Sequence, residues 1–182
     1  MKIAVTADIH LKADDKEGNK YPERLNALRY ILDSILKDGI RNLIIAVDLF
    51  DIESQNYSVF DQLCRESKYS GINIYIVPGN HDPAINPKYF TAASIKVFSD
   101  PKILTLNNSS DFLQEASPGS ASTDADLLSF FFIPYVPGKS MGEILAEYKQ
   151  ILPRRWVLIG HGDYLSGIKI PNIYETGVYM PL

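Results

Sequence analysis

At 182 residues, 46% of them hydrophobic, the chain is long enough to bury a sizeable core, and a single domain over residues 1–182 is expected. Its formal charge of -4 excludes a global electrostatic attraction to nucleic acid, although carboxylates that gather divalent ions would reverse the sign locally. The apolar runs are interrupted by charge well short of the roughly 18 to 20 residues that cross a bilayer, and the run from Lys2 to Ala7 meets Asp8 too soon for a secretory signal, so a cytoplasmic chain without a membrane span is expected.

In chain order, the first apolar run is Ile3-Ala4-Val5-Thr6-Ala7, which stops at Asp8. A helix follows, with Leu25, Leu28, Leu32, Ile35 and Leu36 at helical spacing, Pro22 near its start and Gly39 just past its end. Leu43-Ile44-Ile45-Ala46-Val47 then runs into Asp48. A second helix is predicted from about Tyr57 to Tyr69. It carries the single cysteine, Cys64, which cannot form an internal disulfide and reads as core packing beside Phe60 and Leu63. Ile72 to Val77 leads to Asn80 and His81. From Lys102 to Pro134 the alternation breaks, because two apolar stretches, Ile103 to Leu106 and Leu127 to Ile133, flank a Ser, Gly and Asp-rich loop at Ser117 to Asp126. Antiparallel strands with a mobile tip are expected there. A third helix has Met141, Ile144, Leu145 and Tyr148 on one face, and Trp156-Val157-Leu158-Ile159 leads to His161. The stretch Ile170 to Leu182 has two prolines and no helical period, and reads as an interruption of the chain.

Continuous β-branched runs alternating with amphipathic helices predict an α/β fold: strands buried on both faces, a largely parallel sheet covered by helices, and ligands bound beyond the strand carboxyl ends. The polar residues sit at those ends. In Asp8-Ile9-His10 the two polar side chains are one residue apart, so an extended backbone would point both to one side. Asp48 closes the second strand. In Gly79-Asn80-His81-Asp82 the glycine permits a tight turn and three polar side chains follow it. His161 lies between two glycines. Asp8-x-His10 and Asp48 alone each fit an ordinary turn or cap, whereas a mere turn at Gly79 to Asp82 would need no histidine. Together they carry more, since all three histidines of the chain fall at strand ends on what reads as one edge of one sheet. The mixed oxygen and nitrogen donors suit manganese, iron or zinc better than calcium.

The ordered series Asp8-x-His10, Asp48-Leu49-Phe50-Asp51, Gly79-Asn80-His81-Asp82 and His161 resembles the successive signatures of the calcineurin-like metallophosphoesterases. Thr6 to Leu11 and Asp48 to Asp51 are most similar to SbcD-like nuclease subunits of double-strand-break repair complexes. The resemblance is concentrated in residues 1–83 and 155–165. It implies layered sheets flanked by helices, with a site for two divalent ions, manganese first, at the strand ends. Asp8 and His10 would hold one ion, Asn80 and His161 the other, and Asp48 would bridge them at about 3.5 to 4 Å. A hydroxide held by the ions would attack phosphorus in line. His81 would protonate or stabilise the leaving oxygen, and Asp82 would orient His81 or serve as a turn residue. DNA is the implied substrate, and an SbcC-like ATPase partner and a homodimer belong to the same resemblance.

Two departures stand out. Val47 occupies the position before the bridging aspartate where the family has glycine, and no Gly-His-x-His follows His161. Truncation is the expected reason for the second, with weak metal binding as its consequence. Two other readings stay open: a metal-poor binding or scaffold domain, and a small-molecule phosphodiesterase of the same superfamily.

Overall fold

The computed structural model describes residues 2–12, 22–51, 57–106, 113–115, 127–164 and 179–180. Its first half is a parallel sheet in the order β1-β2-β3-β4, formed by Ala4–Thr6, Asn42–Ala46, Asn73–Val77 and Ile95–Val97. The predicted helices are α1 (Pro22–Lys37), α2 (Tyr57–Arg65) and α3 (Met141–Tyr148). The end of α1 shows why it stops where it does. Gly39, at φ 68°, donates its N–H to the Leu36 carbonyl and Ile40 donates to that of Ile35, the paired closure of a Schellman motif. α2 is four residues shorter than the periodicity predicts, and Cys64 on it is buried and free. α3 opens on a capping box in which Ser140 and Glu143 satisfy each other's backbone N–H groups.

The later strands do not extend this sheet. β5 (Lys102–Leu106), β6 (Leu113–Glu115), β7 (Ser129–Ile133) and β8 (Trp156–Gly160) form a second sheet in the order β6-β5-β7-β8. β5 and β7 are antiparallel, as the apolar stretches predicted, and β6 is an addition. The loop tip at 117–126 lies outside the described residues. β7 and β8 are parallel and are joined through α3. Two short strands, β9 (Asp163–Tyr164) and β10 (Tyr179–Met180), form a separate parallel pair, so the segment read as an interruption carries at least this pairing.

The period of two along each strand builds the layers. Leu43, Ile45, Ile74 and Ile76 face Leu28, Leu32, Phe60 and Leu63 of α1 and α2. Their neighbours Ile44, Tyr75 and Val77 join Leu104, Phe130, Phe132 and Ile159 in a core between the two sheets. Phe131 and Ile133, on the far face of β7, pack with Ile144 of α3. The result is helix, sheet, sheet, helix. Burial of β1 and β8 differs from the expectation: Val5 is 56% exposed and Val157 40%, because each strand lies at the edge of its sheet. No helix among the described residues is long and apolar enough to cross a membrane.

Candidate metal centre

The loops after β1 and β2 run side by side. Asp8, His10 and Leu11 donate their N–H groups to the carbonyls of Val47, Asp48 and Leu49, and Asp51 donates back to Leu11. This pairing holds the backbone in an unusual state: Asp8 (φ 52°), His10 (φ 49°), Val47 (φ 77°) and Asp48 (φ 48°) all lie in the left-handed region that side chains disfavour. Asp8-Ile9-His10 is therefore not extended, contrary to expectation, and β1 ends at Thr6. Such strain persists only where surrounding contacts enforce it, and it clusters at functional sites. Val47 adds a β-branched side chain to that strain, and the side chain packs into the core between the sheets.

Asp8, Asp48 and His161 converge, each offering a ligand atom within 4.8 Å of the others. Asp8 and Asp48 come from the first sheet and His161 from the end of β8 in the second. The site thus bridges the ends of two sheets rather than lying on one edge of one. His161 Nε2 is 3.5 Å from Asp48 Oδ2. Asp48 is 1% exposed, and its Oδ1 accepts the His81 backbone N–H at 3.0 Å. Gly79 makes room for it. A Cβ at that position would meet Asp48 Oδ1 at 2.0 Å, and the φ of Gly79 is not positive, so close approach rather than turn geometry requires the glycine here.

The other polar side chains of this region have separate placements. Asn80 Oδ1 is buried without a hydrogen-bond partner, as is His161 Nε2. The His10 ring packs edge-on against that of His81, with centroids 4.7 Å apart, and His10 is not in the Asp8, Asp48 and His161 group. Asp82 is fully buried and accepts from the backbone of Gly79 at 2.7 Å and of Phe50 at 3.1 Å, tying the loop after β3 to the loop after β2. Burial raises its pKa. N–H groups from Gly79, Phe50 and Leu49 oppose that rise, and the neighbouring Asp48 adds to it.

A cationic brace that the motifs do not signal supports these loops. The Arg24 guanidinium donates to the His10 carbonyl. Its Nη1 is also 3.6 Å from Asp51 Oδ2, which Lys12 Nζ approaches at 3.3 Å. Nothing in the motif spacing points to Arg24, which reaches His10 from α1.

Do these residues suit divalent metal ions? Two carboxylates and a histidine present donors in one place, a buried imidazole nitrogen and a buried amide oxygen lack partners, and a backbone cradle is kept open by Gly79. The donor set fits. Buried polar atoms normally find partners, and an ion would satisfy these. The family model for the calcineurin-like phosphoesterases matches residues 1–161. No curated protein matches the chain.

Proposed function

We propose, on the premise that the chain belongs to the calcineurin-like phosphoesterase family, that this metal-dependent phosphoester hydrolase holds two divalent ions and cleaves DNA as a repair-type nuclease. The observation carrying the metal assignment is the meeting of Asp8, Asp48 and His161 beside two unpartnered buried polar atoms. Asp48 stands centrally, with Oδ1 on the His81 N–H and Oδ2 toward His161, which supports a bridging role. Asn80 and His10 would complete the set. When bound, the ions would supply Lewis acidity that neutralises charge on the phosphoryl oxygens and lowers the pKa of water so that it can attack as hydroxide.

The chain's own part is positioning and proton handling. Asp82 fixes the loop that presents Asn80 and His81, through its bonds to Gly79 and Phe50. His81, packed against His10, would deliver the proton to the leaving oxygen. Manganese, a DNA substrate and an SbcC-like ATPase partner rest on the motif resemblance of Thr6 to Leu11 and Asp48 to Asp51.

Calorimetric titration with manganese, paired with hydrolysis of DNA and of bis-p-nitrophenyl phosphate, tests the reading. The expected results are weakly bound metal that is lost in Asp48→Ala, and slow cleavage of DNA. Cleavage of the small diester alone would support the small-molecule phosphodiesterase. Unchanged metal content in Asp48→Ala would remove the bridging role.

A further inference from the structure

A group of aromatic side chains beside the proposed site is not explained by metal binding. Phe50, two residues after Asp48, packs edge-on against Tyr57 at 4.9 Å between centroids. Tyr57 in turn lies flat against Tyr89, with centroids 4.6 Å apart and ring planes 19° from parallel. Phe90 closes the inner side, edge-on to Tyr57 at 5.9 Å. The outermost ring of this series, Tyr89, is 40% exposed. Among the described residues it is the one exposed large apolar side chain stacked on a second aromatic ring.

The inner end of the stack meets the loop that carries Asn80 and His81. Phe50 donates its N–H to Asp82, the residue after His81. Burial raises the pKa of the Tyr57 hydroxyl, and Tyr89 and the Asp82 carboxylate raise it further, so Tyr57 is within electrostatic reach of the same loop. A cation accompanies it, since Lys88 Nζ lies 5.3 Å from the Tyr89 ring centroid. The backbone here is fixed. Asn86 Oδ1 caps the short 3-10 turn Pro87–Tyr89 by accepting from Lys88 N. Immediately after it, Asp61 of α2 accepts from Thr91 N at 2.7 Å, Ala92 N at 2.9 Å and Thr91 Oγ1 at 2.6 Å. A rigid ring loses little freedom when something stacks on it.

We propose that the Tyr57 and Tyr89 stack, with Lys88 beside it, is a platform that takes one nucleobase of a single DNA strand whose backbone enters the metal centre. The inference rests on the phosphodiesterase reading and narrows its substrate to one carrying bases. Tyr89 offers its exposed ring for π-stacking, which every base satisfies. An exposed lysine over a ring is held weakly, so its flexible stem lets the ammonium turn from the ring to a strand phosphate. A purely structural role for the ring would instead make its loss indifferent to whether the ligand carries bases.

The test measures binding of two oligomers of equal length in manganese by fluorescence anisotropy. One is a thymidine oligonucleotide with a hydrolysis-resistant phosphorothioate backbone, and the other is the abasic equivalent. The native protein is expected to prefer the thymidine oligomer, and Tyr89→Ala to weaken that binding by about 5- to 100-fold while leaving the abasic oligomer unaffected. Tyr89→Phe keeps the ring and should bind as the native protein does. Tyr89→Leu keeps apolar bulk without a π face, so it should lose the preference even if the alanine variant fails to fold. Equal affinity of the native protein for the two oligomers, no binding of either, or a preference retained in Tyr89→Leu would overturn the platform. The manganese titration judges the metal centre separately, because none of these variants alters a metal-binding side chain.

Discussion

Gly79 and Asp48 are packed so closely that a Cβ on Gly79 would fall 2.0 Å from the Asp48 carboxylate oxygen and 2.8 Å from the Asp48 backbone nitrogen. Rotating the carboxylate relieves only the first contact, and the second requires the two loops to separate. Gly79→Ala is therefore expected to displace Asp48, to weaken manganese binding by about 10- to 100-fold, as loss of ligand support typically does, and to cost about 1–3 kcal/mol of stability through overpacking. Calorimetry with manganese and a urea melt measure the two effects. A variant with native metal affinity would show that the Asp48 carboxylate does not need its present position.

His81 shares its loop with Asn80 but contacts the site differently. Its backbone N–H holds Asp48, whereas its ring lies against His10. Substitution by alanine keeps the N–H and removes only the imidazole. His81→Ala is thus expected to retain bound manganese while hydrolysis falls by about 10²- to 10⁴-fold, the range for loss of a general acid. Loss of metal together with activity would reassign His81 as a ligand.

Asp61 offers a pH-dependent test of the anchor beneath Tyr89. Burial alone would raise its pKa. The bonds from Thr91 and Ala92, helped by Arg65, outweigh that and leave it below the ordinary carboxylate value. A carboxyl whose folded pKa is depressed contributes stability that is present above its unfolded pKa, about 3.9, and is lost as pH falls through the folded value. Asp61→Ala should cost about 2–4 kcal/mol at neutral pH, because buried N–H donors lose a charged acceptor. The gap between native and variant melts should narrow as pH drops below about 4. A gap that stays constant through that range would mean that the charge is immaterial.

The strands that carry the site residues were legible where their apolar runs are continuous, as in Leu43 to Val47 and Ile72 to Val77, and α1 was bounded by Pro22 and Gly39 as its end signals predicted. Their assignment to sheets was not. Phe130, Phe131 and Phe132 are apolar toward both neighbours, one face meeting the first sheet and the other α3, so no alternation in the sequence reveals that β7 and β8 form a second sheet. The sequence alone therefore signals that His161 follows a strand end but not that this strand, β8, belongs to the second sheet. The left-handed conformations of Asp8, His10, Val47 and Asp48 are also hidden, since none of the four is glycine and the strain comes from pairing between loops 38 to 40 residues apart in the chain. The reach of Arg24 to His10 depends on the packing of α1, which motif spacing does not encode.

Val47 and Val77 allow that backbone strain to be measured. Both are buried, at 3% and 0% exposure, in the same core between the sheets. They differ in backbone, since Val47 has φ 77° and Val77 lies in a regular strand with no positive φ. Replacing either by glycine removes a buried side chain, worth about 1.5–3 kcal/mol, and adds unfolded-state freedom worth about 0.5–1 kcal/mol. Only Val47→Gly also relieves a left-handed β-branched residue, which returns about 1–3 kcal/mol. Urea melts in chelator, which removes any contribution from bound metal, are therefore expected to show Val77→Gly strongly destabilised and Val47→Gly less so by about 1–3 kcal/mol. The relief should extend to the site, because the Val47 carbonyl accepts the Asp8 N–H and Asp48 follows directly. Manganese affinity should then rise in Val47→Gly and not in Val77→Gly. Equal destabilisation of the two variants would show that the left-handed turn at Val47 costs nothing, and the valine would then be an ordinary core residue.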